Sequence, residues 1–117
     1  MSSIIISDDV IAICAVNAAL RTKGVACFSG GITDTLSKNI LGKQPLYKGV
    51  KVAREDDGIH LDLYILVKYG TNIPSVAWDI QENVKHEVES MTDMEVKAVN
   101  IHVQGVKINE SKEQDNE

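Results

Sequence analysis

Residues 70–108 read GTNIPSVAWDIQENVKHEVESMTDMEVKAVNIHVQGVKI, and the fold turns on how this stretch divides. Thr71 or Asn72 offers a side-chain oxygen to cap a helix, and Pro74 sits in a first turn whose N–H groups have no helical partner anyway. Ile73, Val76, Ala77, Ile80, Val84, Val88 and Met91 then fall within about a third of the circumference, a core-facing stripe. Gln81, Glu82, Lys85 and Glu89 lie off the stripe. So does Trp78, about 100° round from Ala77. The period next changes to two. Val99, Ile101 and Val103 alternate with Asn100, His102 and Gln104, which predicts a strand with one buried face. Gly105 leaves Val106 and Ile108 out of phase, which predicts a bulge.

Working back from Gly70, residues 59–69 form the clearest strand pattern in the chain. Leu61, Leu63, Ile65, Val67 and Tyr69 share one face, and His60, Asp62, Tyr64, Leu66 and Lys68 share the other. Asp56-Asp57-Gly58 is a hairpin signal, joining this strand to Val50-Lys51-Val52. The sheet so described has one covered face and one largely polar face. Earlier, Val25 to Phe28 predicts a short strand. Ile32, Leu36 and Ile40 are spaced by four, a pattern fitting a short helix in the connector from Gly30 to Gly42. The Gly30-Gly31 pair lacks the Lys-Ser/Thr of a phosphate loop and is not GxGxxG either.

At the start, Ile4 to Ile6 is a short β-branched run read as a strand. Ser7 caps a helix with Asp8 and Asp9 in its first turn, and Gly24 ends it. Only Asn17 and Arg21 make a polar stripe on that helix. So apolar a helix is expected to be buried on more than one side, and Ala12, Ala15, Ala18 and Ala19 let a neighbouring backbone come close.

The 117 residues fit one domain. Net charge −5 argues against nucleic-acid binding, which draws on a surplus of Lys and Arg. Cys14 and Cys27 are too few for a disulfide framework; two free thiols are expected, with a single bridge also compatible with the sequence. No window approaches the roughly 20 apolar residues of a membrane span, and the N-terminus lacks the basic region of a signal peptide. The expectation is an α+β two-layer sandwich with a mixed or antiparallel sheet, two main helices on one face, and the order β-α-β-(short α)-β-β-α-β. It occupies residues 1–109, ahead of an acidic tail at 110–117 expected to be disordered.

Several of these runs resemble the alkaline-shock-protein family, which includes the Gls-type general stress proteins. They are Gly49-Val50-Lys51-Val52, Leu61-Asp62-Leu63-Tyr64-Ile65, Tyr69-Gly70, Asn72-Ile73-Pro74 and, most specifically, Val99-Asn100-Ile101-His102-Val103-Gln104-Gly105-Val106. Ile6 to Ile11 and Lys23-Gly24-Val25 resemble the family's first helix and its exit, whereas Ala26 to Leu41 fits loosely. The resemblance implies a small cytoplasmic bacterial protein without known catalysis, tied to envelope homeostasis. Some members are held at the membrane by a separate anchor protein, and some occur beside dihydroxyacetone-kinase-like or fatty-acid-kinase-type proteins. It assigns no catalytic, cofactor or metal residue.

Two constellations remain. His60-x-Asp62 puts a carboxylate and an imidazole on one strand face, and His102 could complete three zinc ligands if the last strand lies nearby. Solvated strand faces produce such pairs routinely, and nothing supplies a nucleophile. The second is a contact surface: Trp78, unused by its own core stripe, and Tyr64 with Asn100, His102 and Gln104 as a polar, uncharged patch. The expected function is a non-catalytic cytoplasmic adaptor or scaffold in envelope stress homeostasis, without cofactor, metal, nucleic acid or membrane insertion. It is expected to self-associate through the Ala-rich helix or a sheet edge. The alternative is an accessory subunit of a kinase-like enzyme.

Overall fold

A computed structural model describes residues 2–29 and 49–108. The connector helix, the Gly30-Gly31 pair and the acidic tail lie outside them. The elements are α1 (Asp8–Leu20), β1 (Val25–Phe28), β2 (Val50–Glu55), β3 (Gly58–Lys68), α2 (Ile73–Thr92) and β4 (Val96–Lys107). The class is the expected α+β two-layer sandwich, with a mixed sheet. β3 is its centre. β4 runs parallel along one side, while β1 and β2 lie end to end, antiparallel, along the other. The β2–β3 hairpin turns at Asp56-Asp57, as the sequence predicts, and Gly58 enters β3 at φ 140°. A Cβ there would sit 2.7 Å from the Glu95 carbonyl oxygen. Hydrogen at that position lets the start of β4 reach the Ile59 N–H.

Ile59, Leu61, Leu63, Ile65 and Val67 face the helices and are at most 2% exposed. Tyr69 departs from its expected place on that face. It follows the last residue of β3 and is 75% exposed. The predicted bulge near Gly105 is present: Ile65 pairs with Val103 and Leu66 with Gly105.

The N-terminal run Ile4–Ile6 is not a strand. Arg54 reaches over with its guanidinium to the Ile6 carbonyl and to Asp8, and Ser7 caps α1 at once. That leaves no room for a ladder, and Ile4 and Ile5 are each 89% exposed. In α1 the small residues Ala12, Ala15, Ala18 and Ala19 are buried with Ile11 and Cys14, whereas Val10, Ile13 and Leu20 are 43–48% exposed. Among the described residues the helix is therefore covered on one side. Cys14 and Cys27 are both free thiols; burial, and then the Glu87 charge, pushes the Cys14 thiol up.

In α2 the buried line is Val76, Ile80, Val84, Val88, Thr92, a strict i+4 row. Such a row is inclined to the helix axis. A helix that packs along it drops residues that stay on the mean angle at either end. Hence Ile73 and Met91, expected in the core, are 36% and 62% exposed. Thr22 joins the helices: its hydroxyl donates to the Ala18 carbonyl and accepts from Asn83 Nδ2 at 2.9 Å.

Along its other side α2 covers the beginning of β4. Gln81 Nε2 donates to the Val99 carbonyl, Lys85 Nζ donates to the Val96 carbonyl, and Glu89 accepts from the Val96 N–H, each at 2.9 Å. The Lys85 hydrogen bond, followed by the Val96 N–H, holds the Glu89 carboxyl below its ordinary value. A carboxyl depressed in the folded state stabilises above its unfolded value, and that contribution is lost as pH falls through the folded one. Urea midpoints measured from pH 6 to pH 3 should therefore fall less steeply in Glu89→Gln than in the native protein.

Candidate contact face

Pleating alone decides which residues of β3 meet the helices and which do not. With the odd-numbered side chains inside, His60, Asp62, Tyr64, Leu66 and Lys68 form the middle row of the face opposite the helices. The register sets Lys51 and Asn100 on either side of Asp62, Ala53 and Ala98 on either side of His60, and His102 beside Tyr64.

Asp62 gathers the donors. Its Oδ1 accepts from Asn100 Nδ2 at 3.2 Å and lies 2.9 Å from His102 Nε2. Tyr64 then stacks on His102, ring centroids 4.4 Å apart and planes 9° from parallel. The imidazole is thus fixed by a carboxylate at its edge and a phenol ring on its flat side. Burial, and then the Asp62 charge, raises the Tyr64 hydroxyl, which stays a neutral donor and acceptor. A residue not foreseen completes the patch: Ser29, just past β1, bonds through its hydroxyl to Gln104 Oε1 at 2.9 Å. The sequence signal for it was the bulge at Gly105, which re-aims the end of β4.

Four of the five expected contact residues therefore share one surface: Tyr64, Asn100, His102 and Gln104. Trp78 does not. It stands on α2, in the helical layer, and is 62% exposed; the connector that might have covered it lies outside the described residues. The His60-x-Asp62 pair does not form. Next-but-one residues on a strand are about 7 Å apart, and His60 Nε2 instead meets Asp57 Oδ1 of the hairpin turn at 2.9 Å. That bond holds the Asp57 carboxyl below its usual range. The three residues weighed as zinc ligands are accordingly not brought together, and among the described residues no group of three or more His, Cys, Asp or Glu is placed to hold a metal. The Ser29 hydroxyl is engaged by an amide oxygen, with no base behind it. Chemically the face offers fixed hydrogen-bond partners and one stacked aromatic pair.

No described helix is long and apolar enough to cross a membrane. In fold, the chain resembles the solved chain MamM-CTD 215–293, with TM-score 0.51 and 15% identity over 85% of this chain and 99% of that one. In sequence it is 41% identical over 105 residues to the uncharacterised protein YloU of Bacillus subtilis, covering 88% of this chain and 87% of that relative. It is 38% identical over 101 residues to YqhY of the same organism, covering 86% and 74%. A stress response regulator gls24 homolog of Streptococcus pyogenes is 29% identical over 87 residues, spanning 74% of this chain and about half (49%) of that relative. These names and the family description carry no reaction. A family profile matches residues 1–108, and the chain belongs to the alkaline shock protein 23 family, which has a cell envelope-related function.

Proposed function

We propose that this protein is a non-catalytic cytoplasmic adaptor that serves cell-envelope stress homeostasis by binding other proteins through the open face of its sheet. The observation that carries the reading is the Asp62–His102–Tyr64 arrangement. A solvated face with no task has no need to hold an imidazole by both its edge and its flat side, whereas a contact surface gains from side chains already ordered before binding. The patch of Tyr64, Asn100, His102, Gln104 and Ser29 is polar and nearly uncharged, which fits a protein surface better than a phosphate backbone. The stress-regulator name of one relative and the family's envelope-related description support the setting.

The test is affinity purification from the native host, with the bound proteins identified by mass spectrometry. Tyr64→Ala and His102→Ala should each reduce recovery of the partner about tenfold or more, as truncating an aromatic anchor does at an interface, with little change in melting temperature. A membrane-anchor protein among the partners supports the adaptor reading. Recovery of a soluble kinase-like enzyme instead moves the protein to the accessory-subunit role, and unchanged recovery from both variants removes the face from consideration.

A further inference from the structure

β4 is an edge strand: among the described residues only β3 pairs with it. Its outer side is guarded unevenly. α2 covers the start through Glu89, Lys85 and Gln81, and that cover ends at Val99. Beyond it the backbone geometry can be followed from β3. Tyr64 sends both its N–H and its C=O to the β1–β2 side, bonding to Gly49 and Ser29. Leu63 and Ile65 must therefore turn theirs toward β4, where Ile101 and Val103 stand opposite them. In a parallel ladder this directs the N–H and C=O of Ile101 and Val103 outward. Their side chains are only half-buried at the margin of the core.

Trp78 belongs to the same surface. It precedes Gln81 by three residues and Lys85 by seven, which puts it on the side of α2 that lines β4. The helix descends the strand from Lys85 at Val96 to Gln81 at Val99, so the next turn, with Trp78, falls beside the unguarded stretch. An exposed tryptophan and an open row of backbone donors and acceptors are one feature.

We propose that this edge, Ile101 and Val103 with Trp78 beside them, pairs antiparallel with the same edge of a second copy, joining two four-stranded sheets across a two-fold axis. Outward N–H and C=O groups in strand register are matched by another strand's edge. Edge strands usually carry lysines or proline that repel such pairing. From Ala98 to Val106 this one has no charged residue and no proline, so two copies meet without opposing like charges although each chain carries −5. With Ile101 of one strand opposite Val103 of the other, Lys107 falls opposite Lys97, whose charge is already offset by Glu95 at 3.1 Å, so the ends meet as one lysine against an internal ion pair. A two-fold interface uses one patch twice, and this patch supplies both the hydrogen-bonding row and the apolar flank. The dimer rests on the adaptor reading for its purpose and on the edge for its geometry.

Purified native chain, across a concentration series, should pass from monomer to dimer in sedimentation equilibrium. The amides of Ile101 and Val103 should gain hydrogen-exchange protection over the same range. The emission of Trp78, the one tryptophan in the chain, should shift to the blue in step. Val103→Lys should weaken dimerisation about tenfold or more, because the two-fold brings both new charges close together, and Trp78→Ala should weaken it without unfolding the chain. A chain that stays monomeric, or a dimer in which those two amides exchange as in the monomer, overturns the proposal whether or not the variants fold. Partner capture through Tyr64 is a separate readout on the opposite layer. Monomers that still capture a partner refute only the dimer, and dimers that capture nothing refute only the adaptor.

Discussion

Gly24→Ala should lower stability by about 3 kcal/mol, measured as a shift of the urea midpoint with the slope unchanged. Two costs add. Gly24 sits at φ 101°, where an L side chain costs roughly 1–2 kcal/mol. A Cβ built there lies 2.6 Å from Val76 Cγ2 and 3.0 Å from Thr71 Cγ2, an overlap of the sort that costs about 1–3 kcal/mol in a packed region. The nearer neighbour does not give way easily, because Val76 is a buried, β-branched residue of the α2 row. Gly24 also contributes the carbonyl that receives the Lys68 N–H, so a shift of this turn pulls on the end of β3. Against a total of about 5–15 kcal/mol for a domain of this kind, such a loss brings the protein near the edge of folding. A change below about 0.5 kcal/mol, the size of an ordinary surface substitution, would mean that the turn relaxes freely and that this account of the first helix's exit is wrong.

Leu63→Ala should cost about 3–5 kcal/mol by the same measurement, from lost transfer energy and the cavity left behind. Leu63 is fully buried, on the central strand, with Val50 opposite on one side and Ile101 on the other. Ladders flank it on both sides and helices cover it, so the site has little freedom to collapse. Leu66→Ala is the internal control. It removes the same atoms from the same strand, but from the half-exposed face, and should cost well under half as much. Equal losses would show that the open face is packed as tightly as the core, which is incompatible with a surface available to partners.

The fold was legible where the pattern was long. Twenty residues of helix and eleven of strand give many repeats of one period, so α2 and β3 read cleanly, as did the bulge at Gly105. The end effects were not legible. Met91 and Ile73 share the mean angle of the stripe, and only the crossing of α2 over its neighbours decides that they lie outside it. Ile4–Ile6 has the composition of a strand, but a strand needs an edge to join, and Arg54 had already claimed the backbone there. The site divides in the same way. That Asp62 and His102 share a face follows from alternation within each strand. That they meet depends on β4 lying beside β3, a matter of topology with no local signature. Alternation also made His60 look like Asp62's partner, when the closer carboxylate was Asp57, around the turn. Trp78 was recognisable as spare, yet its relation to the strand edge appears only once Gln81 and Lys85 are seen gripping β4.

The bonding of Tyr64 bears on how the chain tolerates change. Its carbonyl receives the N–H of Ser29 and its N–H donates to the carbonyl of Gly49, each at 2.9 Å. The chain therefore leaves the sheet and re-enters it at one residue of β3. A segment whose two ends are pinned to the same point has the same gap to close whatever its length, and closure entropy grows only with the logarithm of that length. The distance between Ser29 and Gly49 is thus set by one residue of β3, and β1 and β2 hold their register from that shared anchor. The resemblance that weakened from Ala26 to Leu41 falls largely between those two anchored ends.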